Sequence, residues 1–350
     1  METLKMTGRP RETYEVQLTY SLLWECALGI AAITNSKLLK TLEKPEKDWN
    51  RLRESLSEEL QSQLNFVEKN NTWKSLLQIL HQKEFEDLDD YISYIEKLDE
   101  VELRFMCLPI TGRNDQRLRQ SAAQGDRDAV QSLMIASDYN PFFPQYIEFI
   151  SQHDASLLKK HLVRVITLWF KEVVTLDAIE REEILKRDFD SKQTLKQKLT
   201  SEELVQVATG GISYIPEPSV HTVLLIPQYI YRPWSIEADI EGVKVFYYPV
   251  SNESVSPGDR YTPDQFLVLK HKALGDEGRL KIVKLLSEKN RTLQDITGQL
   301  NMGKSTVHHH LKILRSAKLV ETSGSQYKLK KDALELMYKE IKLYLEQPVN

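Results

Sequence analysis

The chain has 350 residues, 41% of them apolar and 28% charged, with a formal net charge of −4. These are ordinary values for a globular protein with room for two domains. Its two cysteines, Cys26 and Cys107, exclude a disulfide framework and a multi-cysteine metal site. The opening "METLKMTGRPRETYEV" has no apolar run suited to a signal peptide, and "SLLWECALGIAAI" carries Glu25 and is too short to span a bilayer. A cytoplasmic protein away from membranes is therefore expected.

In chain order, "YEVQLTY" reads as a strand. Residues 21–209 then read mainly as helices. "NRLRESLSEELQSQLNFVEKN" and "LLKKHLVRVITLWFKEVVTLDAIEREEILKR" place apolar residues at helical spacing with charged faces between them. Pro141 and Pro144 interrupt the pattern between two helices. After "TGGISYIPEPS" the composition changes. "VHTVLLIPQYIYRPWSI" and "VKVFYYPV" are rich in β-branched and aromatic residues and are cut by Pro and Gly, as strands are. The early strand is expected to pair with these and tie together the two ends of a large domain. "SNESVSPGDRYTPDQ", Ser251 to Gln265, reads as a linker and puts a boundary near residue 260.

Charge is unevenly divided. Phe266 to Lys331 holds 14 Lys/Arg against 5 Asp/Glu, a net of +9, which leaves −13 for the rest of the chain. A basic module on an acidic body points to a polyanionic partner. Within the module, "DEGRLKIVKLLSE" opens a helix with Asp276 as cap and Leu280, Val283 and Leu286 as the expected buried stripe. "TLQDITGQLN" opens with the Thr292–Asp295 capping pattern, and Leu293, Ile296 and Leu300 fall on one face. A tight turn leads to a third helix from about Ser305 to Ala317, the arrangement of a helix-turn-helix. "KLVETSGSQYKLKK" reads as two short strands about Ser323-Gly324, a wing.

The third helix contains three consecutive histidines. At about 100° per residue, Val307, Leu311 and Leu314 share its buried side, His309 lies nearly opposite and His308 on the flank. His310 falls at the edge of the core, where a hydrogen-bonded histidine is expected. Three side chains that diverge in this way do not chelate one ion, since metal pairs on a helix need i, i+3 or i, i+4 spacing. The outward donors Ser305, His308, His309 and Lys312, with Lys304 just ahead, suit phosphate oxygens and base edges in a major groove.

"KALGDEGRLKIVKLLSEKNRTLQDITGQLNMGKSTVHHHLKILRSAKLVE" resembles the winged helix-turn-helix of ArsR-type bacterial transcriptional regulators. The likeness covers roughly residues 267 to 331, and "STVHHHLKILRSAKLV" follows the recognition-helix pattern without a gap. It implies a homodimeric regulator that binds a double-stranded DNA operator with its third helix in the major groove. Lys304, Ser305, Thr306, His308, His309, Lys312 and Arg315 form the expected DNA-binding set. "TLQDITGQL" lacks the cysteine pair of metal-sensing members, and the wing has no arginine. Some 260 residues precede the module. In them "LTYSLLWECALGIAAI", "ATGGISYIPEP" and "LIPQYIYRPW" resemble segments of an uncharacterised N-terminal domain found in some long ArsR-type regulators.

The expected fold class is thus α+β and mainly helical: an α-rich domain with a small β region over residues 1–260, a winged helix-turn-helix over 261–331 and a terminal helix over 332–347. In that helix Leu334, Met337, Tyr338, Ile341 and Leu345 make one stripe, which ends before Pro348 and is expected to pair two subunits. The first 265 residues hold no HExxH, GxSxG, P-loop or GxGxxG motif. His153 and His161 are too far apart to share an ion alone. The acidic run "EFEDLDDYISYIEKLDE" reads first as a solvated helix face. No catalytic residue, metal or cofactor is expected. The leading function is a transcriptional repressor, with the large domain binding a small-molecule effector at residues the sequence does not reveal. The alternatives for that domain are an enzyme or a protein-interaction scaffold. Trp169, Phe170, Tyr229, Tyr231 and Trp234 could line a pocket, an interface or a core.

Overall fold

A computed structural model describes residues 13–110, 116–137, 142–259 and 261–346. Packing divides them into two compact units. The large unit takes residues 17–189 and 218–249, and the basic unit takes the described residues up to 16, 190–217 and those from 250 onward. Beside the boundary expected near residue 260, the packing thus places residues 190–217 with the basic module.

In the large unit, Ser21 caps the helix Leu22–Ile33 through the Leu23 N–H, and every residue of that helix except Leu22 is buried. Such a helix carries a charge only if the charge is paired. Glu25 is paired: its carboxylate accepts from the N–H groups of Tyr229 at 2.5 Å and Ile230 at 3.2 Å, and from Arg181 at 3.2 Å. Burial pushes this carboxyl up, while Arg181 and the two N–H groups hold it down, and the net direction is upward.

The long helical runs are shorter than their periodicity implies. Ser57 caps Glu58–Asn70 through the Leu60 N–H and so separates it from Glu46–Ser55. A 3-10 turn, Val174–Leu176, separates Ala155–Glu172 from Ala178–Lys196. Pro144 lies in the first turn of Phe143–Gln152, where a missing N–H costs no helical bond, and Pro141 lies outside the described residues.

The strands β1 (Glu15–Leu18), β2 (Thr222–Gln228), β3 (Ile236–Ile240) and β4 (Val243–Pro249) form a sheet in the order β1-β2-β4-β3. The expected pairing of the early strand with the later ones is present. Parallel pairing of β2 with β4 runs from Thr222 opposite Val243 to Gln228 opposite Pro249. β3 and β4 form an antiparallel hairpin about Glu241-Gly242, with Gly242 at φ +72°. The apolar runs in β2 and β4 are those of strands covered on both faces.

Two histidines here are neutral by burial. His161, 7% exposed, is held by Thr72 Oγ1 at 2.8 Å and Gln63 Oε1 at 2.6 Å, and burial lowers its pKa to about 4. His81 contacts the Tyr247 hydroxyl at 2.6 Å; burial, then the charge of Lys74, lowers its pKa to about 3. An unfolded histidine titrates near 6.5. Stability from these groups is therefore complete above pH 6.5 and is lost as pH falls towards the folded values. Between pH 7 and 4.5, urea unfolding should show about 2–3 kcal/mol of loss from His161 alone. His161→Gln should reduce that pH dependence, and an identical dependence in the variant would contradict the assignment.

In the basic unit, Asp276 caps Glu277–Glu288 through the Arg279 N–H as expected. The buried stripe differs from the expected one. Ile282 and Leu286 are buried, Val283 is half-buried and Leu280 is 49% exposed. The helix is rotated so that Ile282, two positions after Leu280, faces the core. The Thr292–Asp295 capping box forms at the start of Leu293–Leu300. The wing pairs β6 (Val320–Ser323) with β7 (Gln326–Leu329), and β5 (Arg291–Thr292) adds a third strand that the two-strand reading lacked, in the order β5-β7-β6. The short helix Asn252–Val255, capped by Ser251, lies within the segment read as linker.

The helix Ser201–Ala208 and the loop after it pack on this module. Thr209 O accepts from Lys318 Nζ at 2.7 Å, and Gly211 O accepts from Lys330 Nζ. Gly210, at φ +67°, lies against the Phe266 ring, where a Cβ would meet Cδ2 at 2.3 Å. Lys270 is wholly buried and pairs with Glu340 at 2.5 Å, and Lys339 pairs with Glu203. These ion pairs hold the terminal helix, Lys331–Leu345, to its own chain. Its apolar stripe is therefore divided. Met337 is buried and Leu334 and Ile341 are half-buried, while Tyr338 and Leu345 are 75% and 72% exposed. Residue 347 and Pro348 lie outside the described residues.

Candidate nucleic-acid interface

The helix Lys304–Ser316 begins one residue before its expected start, after Asn301 in the left-handed region (φ +50°) and Gly303 as N-cap. Val307, Leu311 and Leu314 are buried and join the core with Ile282 and Ile296. This inner stripe fixes the rotation of the helix about its axis. Lys304, Ser305, Thr306, His308, His309, Lys312 and Arg315 are consequently all exposed. At about 100° per residue, Ser305, His309 and Lys312 follow one outward line, with His308 and Arg315 on one flank and Thr306 on the other. Among the described residues no ion pair engages Lys304, Lys312 or Arg315.

His310 takes the expected place at the core edge, with a different contact. Its Nδ1 lies 3.8 Å from Asp276 Oδ1, beyond hydrogen-bond reach, and has no hydrogen-bond partner among the described residues. Gly278 makes room for this ring, since a Cβ there would meet His310 Nε2 at 3.0 Å.

Two features of the interface were not read from the sequence. Gly303 supplies no side-chain cap, so the first-turn N–H groups of this helix remain available to a phosphate. Several of the module's cations also serve inside the unit. Lys270, Lys318 and Lys330 bind Glu340, Thr209 O and Gly211 O, Arg279 bonds Ala273 O at 2.6 Å, and buried Arg291 lies 3.5 Å from Glu288. Lys328 of the wing pairs with Glu321 at 3.2 Å. The +9 balance thus overstates the charge offered outward, and on the third helix that charge comes from Lys304, Lys312 and Arg315.

The other candidates lie in the large unit. His153 stacks on Phe149 at 4.6 Å, and both ring nitrogens of His161 are engaged by Thr72 and Gln63. In the acidic run, Asp87 caps a helix and Asp90 pairs with Lys83 at 2.7 Å. Trp169 and Tyr231 belong to the core, while Trp234 is 40% exposed and donates to Thr41 O at 3.0 Å. Burial pushes the Cys107 thiol up to about 12 and raises Cys26 as well. Among the described residues no group of three or more His, Cys, Asp or Glu is placed to hold a metal ion, and no helix is long and apolar enough to cross a membrane.

Three helices with a paired wing, and an exposed third helix bearing donors, define a winged helix-turn-helix. Residues 276–322 match the family described as "Bacterial regulatory protein, arsR family", so the chain carries an arsR-family DNA-binding domain of a transcription regulator. No curated protein and no solved structure matches the chain.

Proposed function

We propose that the chain is a homodimeric, operator-specific transcriptional repressor, and that its large unit binds a small-molecule effector rather than catalysing a reaction. The observation that carries the DNA reading is the exposed line Ser305, His309, Lys312, flanked by Lys304, His308 and Arg315, on a helix whose other side is locked into the core. Lys304 and the uncapped first turn suit phosphate, while His309 at the crest suits a base edge. Tyr338 and Leu345, left exposed on the terminal helix, supply the apolar surface for a second copy. Twofold pairing would set two such helices about one DNA turn apart, roughly 34–36 Å.

Selection of duplexes from a random pool with the full chain tests this. A palindromic site with that half-site spacing is expected. His309→Ala should then lower preference for the selected site over random DNA by roughly 1–3 kcal/mol. No enriched sequence, or equal loss on both DNAs, would contradict the reading.

A further inference from the structure

Within the large unit the helix Trp73–Leu80 and the strand β3 enclose a cavity of about 120 Å³. Its walls include Trp73, Phe142, Phe143 and Tyr247, and Lys74 and Asp239 also line it. The volume is close to that of an engineered cavity of roughly 150 Å³ that takes benzene, so one ring fits. We propose that this cavity binds a small aromatic aldehyde, captured by the Lys74 amine as an imine. The proposal deepens the effector reading and rests on it only for its consequence for DNA binding.

Three observations carry it. The Lys74 side chain is half-buried, and its amine has no hydrogen bond or ion pair among the described residues. Its one described contact is with the Phe143 ring, 5.8 Å from the centroid. An amine placed in this way is a poor ammonium, and burial lowers its pKa to about 8. Near pH 7 roughly a hundredfold more of it is neutral and nucleophilic than of an ordinary lysine.

The neighbouring charges favour an aldehyde over a carboxylate. Asp239 supplies the attractive charge acting on Lys74 and would repel a second anion. Lys244 bridges Glu237 at 3.0 Å and Asp239 at 3.1 Å, so its own positive charge is matched by carboxylates beside the cavity. In the reaction the amine nitrogen bonds to the carbonyl carbon, and the carbonyl oxygen leaves as water with both amine hydrogens. No electrons are exchanged. A proton taken from solvent then gives the protonated imine, which carries the same positive charge as the Lys74 ammonium and keeps its attraction to Asp239.

The test treats the full chain with benzaldehyde and cyanoborohydride, which reduces an imine to a stable benzylamine, and maps the benzyl groups by peptide mass. Lys74 should be labelled more than about tenfold faster than exposed lysines. Lys74→Arg should abolish that fast labelling. Ala238→Leu, which narrows the cavity and keeps the amine, should slow it. Benzyl groups spread over exposed lysines with no lead at Lys74 would overturn the proposal. Protection of Lys74 by benzoate would also overturn it, by showing that the site takes an anion. DNA affinity of the labelled protein is read separately: a Lys74 adduct with unchanged affinity keeps the site and removes only the effector role.

Discussion

Gly210→Ala should destabilise the basic unit by about 4 kcal/mol or more. Two costs combine. A non-glycine residue at φ +67° is strained by about 1–2 kcal/mol. The new Cβ would also lie 2.3 Å from the Phe266 ring, so loop and ring must separate. That movement draws Thr209 O and Gly211 O away from Lys318 and Lys330, and each charge-assisted bond contributes about 1.5–3 kcal/mol. Gly324→Ala is the control: φ is +59° and nothing lies within 4 Å of the added Cβ, so it should cost only the strain of about 1–2 kcal/mol. Denaturant unfolding of the two variants separates these costs, and equal losses would show that the loop does not brace the module.

Glu25→Ala should cost the large unit about 3–5 kcal/mol. The substitution strands Arg181 in a half-buried setting with Asp177 as its remaining carboxylate, and it orphans the N–H groups of Tyr229 and Ile230. Glu25→Gln retains one acceptor oxygen and should lose less, because one N–H stays satisfied. Urea unfolding measures both, and a loss below about 1 kcal/mol for Glu25→Ala would contradict the pairing.

Local patterns carried the third helix. Its apolar spacing set which side is buried, and its exposed donors follow from that rotation. The Thr292–Asp295 box and the Asp276 cap were legible for the same reason, since each is made by residues a few positions apart. Long-range pairings left no such trace. Glu25 in an apolar helix is conspicuous, but its partners stand at 181, 229 and 230. Nothing local shows that Lys318 and Lys330 turn inward to carbonyls about 110 and 120 residues earlier. Leu280 was misplaced because a short helix with apolar residues at 280, 282, 283, 285 and 286 permits more than one stripe, and tertiary packing chose Ile282.

The salt dependence of duplex binding bears most directly on the claim that the third helix meets DNA. For the full chain, log affinity should fall linearly with log salt, by about 0.9 for each phosphate neutralised. Lys304→Ala and Lys312→Ala should each weaken binding to all sequences and reduce that slope by about 1. A chain that does not bind duplex DNA at low salt, or variants with an unchanged slope, would contradict the account.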